Sequence, residues 1–217
     1  MQKQATGVFG GTFDPIHYGH LRTALEVHQQ LHLNTTRFIP CGVPPHRALP
    51  EATAQQRLSM VRLAVATQPA FMVDERETNR PGPAYMVDTL TELRRELADT
   101  PLVLILGQDA FQQLHTWKNW QQIPQLAHLA IMARPHGSQP VNSVLQALLA
   151  ARESADIGAL QQQPAGLIFR CPVSQLDISA SGIRDILKNS KTGRCLLPHY
   201  LLPGVVLDYI EQTGLYR

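Results

Sequence analysis

The sequence predicts an α/β protein: a Rossmann-like, doubly wound parallel sheet with helices on both faces. Short apolar runs alternate with longer stretches whose apolar residues recur at helical spacing, which is the pattern of parallel strands connected by helices. The run Leu102–Leu106 is apolar throughout, as in a strand that is buried on both faces. The glycine pair Gly10-Gly11 separates the first predicted strand from the first predicted helix, where sheets of this class bind ligands.

The first half of the chain contains three predicted strands and three predicted helices. Glycines end the strand Thr6–Phe9, and Pro40 ends the short strand Arg37–Ile39. The prolines of Cys41–Pro50 predict an irregular loop. The other elements are helices with apolar residues near helical spacing and one brief strand: Gly19–Leu31, Ala54–Ala66, Phe71–Val73 and Tyr85–Leu97.

The second half continues the alternation. After Leu102–Leu106 come a buried strand, a helix, a late strand and two late helices: Leu126–Met132, Val144–Arg152, Leu167–Phe169, Ser181–Leu187 and Val205–Gln212. Gln161–Pro164 is the best candidate for a flexible loop. Because the composition does not change abruptly, we expect one domain over residues 1–217, with a small helical part at about 180–217.

Composition and charge exclude several classes of protein. Apolar residues make up 44% of the chain, and the formal net charge of +2 without a long Lys/Arg run argues against nucleic-acid binding. The three cysteines fit neither a disulfide framework nor a zinc ribbon, so a reducing cytoplasm is the expected compartment. No apolar stretch approaches the ~20 residues of a membrane span, and no signal-peptide region is recognisable. We therefore expect a cytoplasmic protein without nucleic-acid or membrane partners.

The segment GGTFDPIHYGH, residues 10–20, is the most informative part of the sequence. Glycines after a strand let the main chain approach a phosphate closely. His17 and His20 are three residues apart near a helix start, so their side chains can point the same way and donate to phosphate oxygens. The segment lacks the lysine of a Walker loop and a third metal ligand at a local spacing, so we expect a phosphate site and no protein metal site.

A second candidate phosphate site lies far downstream at ISASGIR, residues 178–184. Ser181 is predicted to cap the helix that ends near Leu187, and the free amides of such a terminus attract anions. Arg184, about one turn into the helix, could reach the same anion with its bidentate guanidinium.

These two segments resemble the motifs of the nucleotidyltransferase superfamily that carries the T/H-x-G-H signature. Its members transfer AMP or CMP to a phosphate acceptor, and its I-S-S-T-x-I-R motif contacts the ATP phosphates. Here Ala180 replaces a serine of that motif and Ser181 its threonine. The resemblance implies catalytic roles for His17, His20 and Arg184. It also implies an ATP site formed by Gly10, Gly11, Thr12, Phe13, His17, His20, Asp109, Ser179, Ser181 and Arg184.

Further features are similar to those of bacterial nicotinate-nucleotide adenylyltransferases. They are the loop PPHR at residues 44–47, the triplet GQD at residues 107–109, Trp117 and the terminal LYR. This resemblance implies that AMP passes from ATP to nicotinate mononucleotide, giving nicotinate adenine dinucleotide and pyrophosphate, with Mg²⁺ as the expected cofactor. Met86 stands where the family often has a hydroxyl, so we expect a main-chain group to replace that contact. The implied acceptor-binding residues are His46, Tyr85, Asp109 and Trp117.

The chemistry of these residues leaves alternatives open. Trp117 could stack on a pyridine ring or be an ordinary core or rim aromatic. Asp109 could bind a ribose hydroxyl, help to hold magnesium, or simply stabilise a helix N-terminus. His46 could donate to the acceptor phosphate or be an exposed loop residue.

Other functions share parts of the pattern. Phosphopantetheine adenylyltransferases are typically shorter and lack the PPH loop, cytidylyltransferases usually have a different late motif, and a class I aminoacyl-tRNA synthetase would need a K-M-S-K-S-like loop. Loss of His17, His20 or Arg184 would favour a non-catalytic nucleotide sensor, and all three are present. Since no side-chain nucleophile stands beside a base, we expect the acceptor phosphate to attack the α-phosphorus of ATP directly.

Overall fold

A six-stranded parallel sheet runs through the part of the chain that the computed structural model describes, residues 4–45, 49–133, 141–189 and 198–217. Its strands are β1 Thr6–Gly11, β2 Thr35–Pro40, β3 Phe71–Val73, β4 Leu102–Gly107, β5 His128–Ala133 and β6 Ile168–Pro172. Within the sheet they are arranged β3-β2-β1-β4-β5-β6, so the order reverses at β1. This arrangement is that of a doubly wound Rossmann-like sheet, and it confirms the predicted fold class.

The helices follow the strands along the chain, as the alternating pattern predicted. They are α1 Tyr18–Gln30, α2 Ala54–Val65, α3 Met86–Leu97, α4 Gln108–Gln112, α5 Ile123–Leu126, α6 Ser143–Arg152, α7 Ala180–Asn189 and α8 Gly204–Thr213. Each predicted helix is present, and its ends agree with the prediction to within two residues. Among the described helices, none is both long and apolar enough to cross a membrane.

The sequence did not predict the short helices α4 and α5. The second of these also corrects the predicted strand Leu126–Met132, because Leu126 completes a helical turn with Pro124 at its start. Ala127 then returns to an extended main chain, and β5 begins at His128. An apolar residue in a single helical turn and one in a buried strand are indistinguishable by periodicity alone.

The middle strands of the sheet are almost completely buried. β1 pairs in parallel with β4, with Val8 opposite Leu104, and parallel pairing continues from β4 to β5 and from β5 to β6. At Gly7 a Cβ atom would come within 2.9 Å of Leu33 Cδ1, so the packing there excludes a side chain. Burial on both faces explains the uninterrupted apolar run of β4.

The chain forms two compact units, each assembled from separate stretches of sequence. The sheet unit consists of the residues up to Phe9, Thr23–Arg37 and Tyr85–Ser174. The motif unit consists of Gly10–Arg22, Phe38–Ala84 and Gln175–Arg217, so it contains both sequence motifs. A single functional domain over residues 1–217 stays a prediction, and α7 and α8 lie in the part expected to be helical.

Candidate active site

The turn that follows β1 is shaped by the side chain of Phe13. Gly10 and Gly11 end the strand, and Phe13 is buried with a left-handed main chain, at φ 50°. Its ring centre lies 5.9 Å from that of Phe38 and 5.1 Å from that of His20, whose ring it meets edge-on. A Cβ atom on Gly11 would lie 2.7 Å from the Phe13 ring, so a glycine is required for this packing.

Arg57 on α2 is a buried cation that sequence reasoning did not single out. It is 1% exposed, and its guanidinium donates to three main-chain carbonyls. Nη1 reaches Thr12 at 2.7 Å, Nη2 reaches Gly42 at 2.8 Å, and Nε reaches Ala52 at 3.3 Å. The guanidinium therefore provides hydrogen-bond donors for carbonyl groups of the glycine turn and of the loop before α2.

His17 and His20 stand at the start of α1 with their rings stacked, the ring centres 3.7 Å apart. The main-chain N–H of His17 donates to Nδ1 of His20 at 3.3 Å, so a neutral His20 carries its proton on Nε2. Burial lowers the pKa of His17 to about 4. Burial and then the charge of His17 lower the pKa of His20 well below its ordinary value. Both rings are therefore neutral hydrogen-bonding groups at pH 7.

Nδ1 of His17 is a buried polar atom with no hydrogen-bond partner among the described residues. Gly19 lies beside this nitrogen, and a Cβ atom at Gly19 would come within 2.9 Å of it. A buried polar atom without a partner costs about 1–3 kcal/mol. A bound ligand or water that hydrogen-bonds to His17 would remove this cost.

Ser179 caps helix α7, and the prediction that Ser181 does so was wrong. The helix begins at Ala180, and Ser179 Oγ accepts the N–H of Gly182 at 3.1 Å, which is the geometry of an N-cap. Ser181 is the second residue of the helix, and its hydroxyl lies 3.3 Å from that of Ser179. Both serines are exposed, so the second motif presents two hydroxyls at one helix N-terminus.

Arg184 connects the second motif to the first. Its Nη1 donates to the main-chain carbonyl of Asp14 at 2.7 Å, three residues before His17. Its Nε donates to Glu51 Oε1 at 3.0 Å, and the same oxygen accepts from Lys188 Nζ at 2.7 Å. One partly buried guanidinium thus joins α7 to the turn that leads into the two histidines.

The sheet unit contains three further residues that were predicted to bind substrate. Asp109 is exposed in the first turn of α4, and Trp117 is half-buried after a 3₁₀ turn. Tyr85 precedes α3, and Lys118 Nζ lies 4.4 Å from the centre of its ring. Their roles, and that of Asp109 in binding ATP, stay predictions, and His46 lies outside the described residues.

Comparison with known proteins identifies the family. The cytidylyltransferase-like family model matches residues 8–186. A protein named probable nicotinate-nucleotide adenylyltransferase from Acidithiobacillus ferrooxidans is 46% identical, over 97% of this chain and 94% of its own. A protein of the same name from Dechloromonas aromatica is 47% identical, over 97% of each chain. The chain belongs to the nicotinate-nucleotide adenylyltransferase family. The names of its relatives do not favour the alternative functions.

Solved structures show the same fold at much lower identity. A Plasmodium falciparum nicotinic acid mononucleotide adenylyltransferase complexed with APC superposes with a TM-score of 0.72 at 15% identity, covering 98% of this chain and 97% of its own. The same protein complexed with NaAD gives a TM-score of 0.71. At 15% identity this likeness shows that the two proteins share a fold.

Several residues that shape the site were missed by sequence reasoning. Asp14 lies inside the first motif but was not assigned a role, and Tyr216 entered only as part of the terminal LYR. Glu51 and Arg57 have no motif around them, since their partners lie far away along the chain. A charged residue in a helix, such as Arg57, is usually solvated, and only the structure shows that this one is buried.

Proposed function

We propose that this chain transfers the adenylyl group of ATP to the phosphate of nicotinate mononucleotide, releasing nicotinate adenine dinucleotide and pyrophosphate in NAD biosynthesis. The observation that carries the proposal is the pair of neutral, stacked histidines joined through Asp14 to Arg184. Such a cluster suits a polyphosphate: hydrogen-bond donors at a helix start and a planar cation close by. Membership of the family supports the choice of acceptor.

The reaction needs no covalent intermediate with the protein. An oxygen of the acceptor phosphate attacks the α-phosphorus of ATP, and the bond from that phosphorus to the bridging oxygen of pyrophosphate breaks. Negative charge grows on the non-bridging oxygens and on the leaving group as this happens. Donors aimed at those oxygens stabilise the transition state more than the ground state, so His17 and His20 act as hydrogen-bond donors, with the proton of His20 on Nε2.

The leaving pyrophosphate is assigned to the N-terminus of α7. Ser179 and Ser181 offer hydroxyls there, and Arg184 offers its guanidinium. Nε of Arg184 donates to the Glu51 carboxylate, and the phosphates would offer the same guanidinium an anion of higher charge. Gly10, Gly11, Thr12 and Phe13 would let the main chain approach ATP beside the histidines.

Magnesium is proposed to enter as the complex with ATP. Within the described part of the chain, no three His, Cys, Asp or Glu side chains are grouped so that they could hold a metal ion. Mg²⁺ usually takes most of its ligands from phosphates and water with one or two carboxylates, and Asp109 is the candidate carboxylate. The ion would supply neutralisation of phosphate charge. The free thiol of Cys171 agrees with a reducing cytoplasm as the place of action.

The acceptor is assigned to residues of the sheet unit. Trp117 would stack on the pyridine ring, Asp109 would bind a ribose hydroxyl, and a main-chain group near Tyr85 would replace the hydroxyl that Met86 lacks. His46 would donate to the acceptor phosphate.

The test measures pyrophosphate release with ATP and each of three acceptors: nicotinate mononucleotide, its amide analogue and phosphopantetheine. We expect turnover with the first and a clearly lower kcat/KM with the amide. Equal kcat/KM for acid and amide would remove the acid preference, and activity with phosphopantetheine alone would overturn the assignment. ATP binding without turnover on any acceptor would indicate a nucleotide sensor, and the His20→Ala variant is the inactive control.

A further inference from the structure

The carboxylate of Asp14 is buried and fully engaged by donors from distant parts of the motif unit. It is 5% exposed. Its oxygens accept from the main-chain N–H groups of Glu51 at 2.9 Å and Ala52 at 3.1 Å, and from the hydroxyl of Tyr216 at 2.6 Å. Its own carbonyl accepts from Arg184 at 2.7 Å. One residue of the first motif therefore holds three other segments of the chain.

The way in which helix α8 ends places Tyr216 beside Asp14. Gly214 has a left-handed main chain with φ 66°, and its N–H and that of Leu215 donate back to the last turn of the helix. This pattern is a Schellman-type ending, which reverses the chain and needs glycine at the left-handed residue. Tyr216 then lies 5% exposed, with its hydroxyl directed at the Asp14 carboxylate.

The hydrogen bond from Tyr216 to Asp14 is strong, and its donor keeps its proton at physiological pH. A hydroxyl that donates to a carboxylate at 2.6 Å is a charge-assisted bond, which is stronger than a neutral one. Burial and the neighbouring carboxylate raise the pKa of Tyr216, so the phenol stays protonated throughout the physiological range. The two main-chain donors depend on the loop before α2, whereas this donor is a side chain that substitution can remove alone.

Asp14 contacts two different parts of the site, one through its carboxylate and one through its main-chain carbonyl. Its carboxylate fixes the turn that leads to His17, and its carbonyl fixes the Nη1 atom of Arg184. A rotation of Asp14 about its main chain would move both groups together. The carbonyl is the hydrogen-bonding contact between the first motif and the guanidinium, and Nη1 of Arg184 also lies 3.9 Å from Oδ2 of Asp14. The position of Arg184 therefore depends on what holds Asp14.

We propose that Tyr216 is a positioning residue of the transfer reaction: it holds Asp14, and through the Asp14 carbonyl it directs the guanidinium of Arg184 to the triphosphate. The inference rests on the proposed role of Arg184 in binding ATP. Tyr216 itself touches no substrate.

The first experiment compares Tyr216→Phe with Tyr209→Phe, a matched control from α8 whose hydroxyl makes no hydrogen bond within the described residues. We expect Tyr216→Phe to lower kcat/KM for ATP about tenfold and to weaken ATP binding in calorimetry, as the loss of one bond to a charged group suggests. The KM for nicotinate mononucleotide should stay within about twofold of wild type. A folded Tyr216→Phe variant with wild-type ATP affinity and kcat/KM would overturn the proposal.

The second experiment separates positioning from stability. In an Arg184→Lys background, removal of the Tyr216 hydroxyl should change ATP affinity less than about twofold. The Arg184 guanidinium, through which Tyr216 acts, is already absent from this variant. A full additional tenfold loss there would show that Tyr216 does not act through Arg184. If Tyr216→Phe does not fold, Asp14→Asn should lower ATP affinity at least tenfold, because it weakens the bond from Tyr216 together with the main-chain bonds from Glu51 and Ala52. Wild-type ATP affinity in a folded Asp14→Asn variant would overturn the proposal. A wild-type protein without transferase activity would count against the proposed function alone. ATP affinity, measured by calorimetry, would still test the role of Tyr216.

Discussion

The rings of His17 and His20 stack with their centres 3.7 Å apart, and the main-chain N–H of His17 donates to Nδ1 of His20. Because the bond fixes the tautomer of His20, this side chain is a donor through Nε2 and has no lone pair there to act as a base. Burial lowers the pKa of both rings and keeps them neutral, so we propose that they contribute to catalysis by donating hydrogen bonds to phosphate oxygens.

Alanine at either histidine should remove most of the activity. For His17→Ala and His20→Ala we expect kcat to fall about 10²–10³-fold with an unchanged circular dichroism spectrum, as is typical when one donor to a developing oxyanion is lost. Asparagine at either position should restore part of the rate, because its amide also donates. His32→Asn is the control: His32 is exposed with φ 48°, a conformation that asparagine tolerates. Alanine variants that keep most of their kcat would mean that these histidines have no catalytic role.

The depressed pKa of His17 predicts a loss of stability in mild acid. The unfolded chain takes up a proton near pH 6.5, whereas the folded protein resists it until about pH 4. Protonation of the unfolded chain at His17 therefore lowers the free energy of unfolding as the pH falls from 6.5 towards 4, by up to about 3 kcal/mol. Above pH 6.5 this loss is absent. Urea unfolding of wild type and His17→Asn at pH 7.5 and pH 4.5 checks this. Wild type should lose more unfolding free energy than the variant, and an equal loss in both would contradict the prediction.

Arg184→Lys should impair the use of ATP while the fold stays intact. Lysine keeps the charge but cannot bond the Asp14 carbonyl and a second acceptor through a planar fork. We expect a marked fall in kcat/KM for ATP, about tenfold or more, in steady-state kinetics. Arg62→Lys makes the same change in an exposed ion pair with Glu75 and should leave the kinetics as in wild type. Normal ATP kinetics for Arg184→Lys would mean that Arg184 only supports the helix.

Arg57→Met should destabilise the motif unit strongly. The substitution leaves the carbonyls of Thr12, Gly42 and Ala52 without their buried donor, at a cost of about 3–5 kcal/mol. Arg62→Met, on the same helix, breaks only an exposed ion pair and should cost about 1 kcal/mol or less. Thermal and urea unfolding of the two variants decide the matter, and similar losses of stability in both would show that the Arg57 contacts contribute little.

Trp117→Ala should affect the acceptor and not ATP. If the indole stacks on the pyridine ring, its loss should raise the KM for nicotinate mononucleotide about 5- to 150-fold, corresponding to about 1–3 kcal/mol. The KM for ATP should change little. Trp120→Ala, three residues along and also half-buried, is the matched control. A folded Trp117→Ala variant with a wild-type KM for the acceptor would assign Trp117 to packing.

Local sequence patterns were sufficient for the six longer helices but not for all details of their ends. Each predicted helix was found because its apolar residues repeat at helical spacing over several turns. The N-cap of α7 was misplaced from Ser179 to Ser181 because both hydroxyls are suitable caps and only the bond to Gly182 distinguishes them. The turn α5 was missed because a single turn leaves no periodic signal.

The sequence by itself determined the succession of the six strands and six longer helices along the chain, the glycine turn and the presence of two histidines at the start of α1. These features depend on residues within about one helical turn of each other, so local sequence patterns are enough to predict them. Only the tertiary structure decided that Tyr216 donates to Asp14, that Arg184 reaches the Asp14 carbonyl, and that Arg57 is buried. The first two contacts join residues 202 and 170 positions apart, and burial depends on which segments pack together. No local pattern specifies a partner at that separation, because the geometry that selects it exists only after the chain has folded.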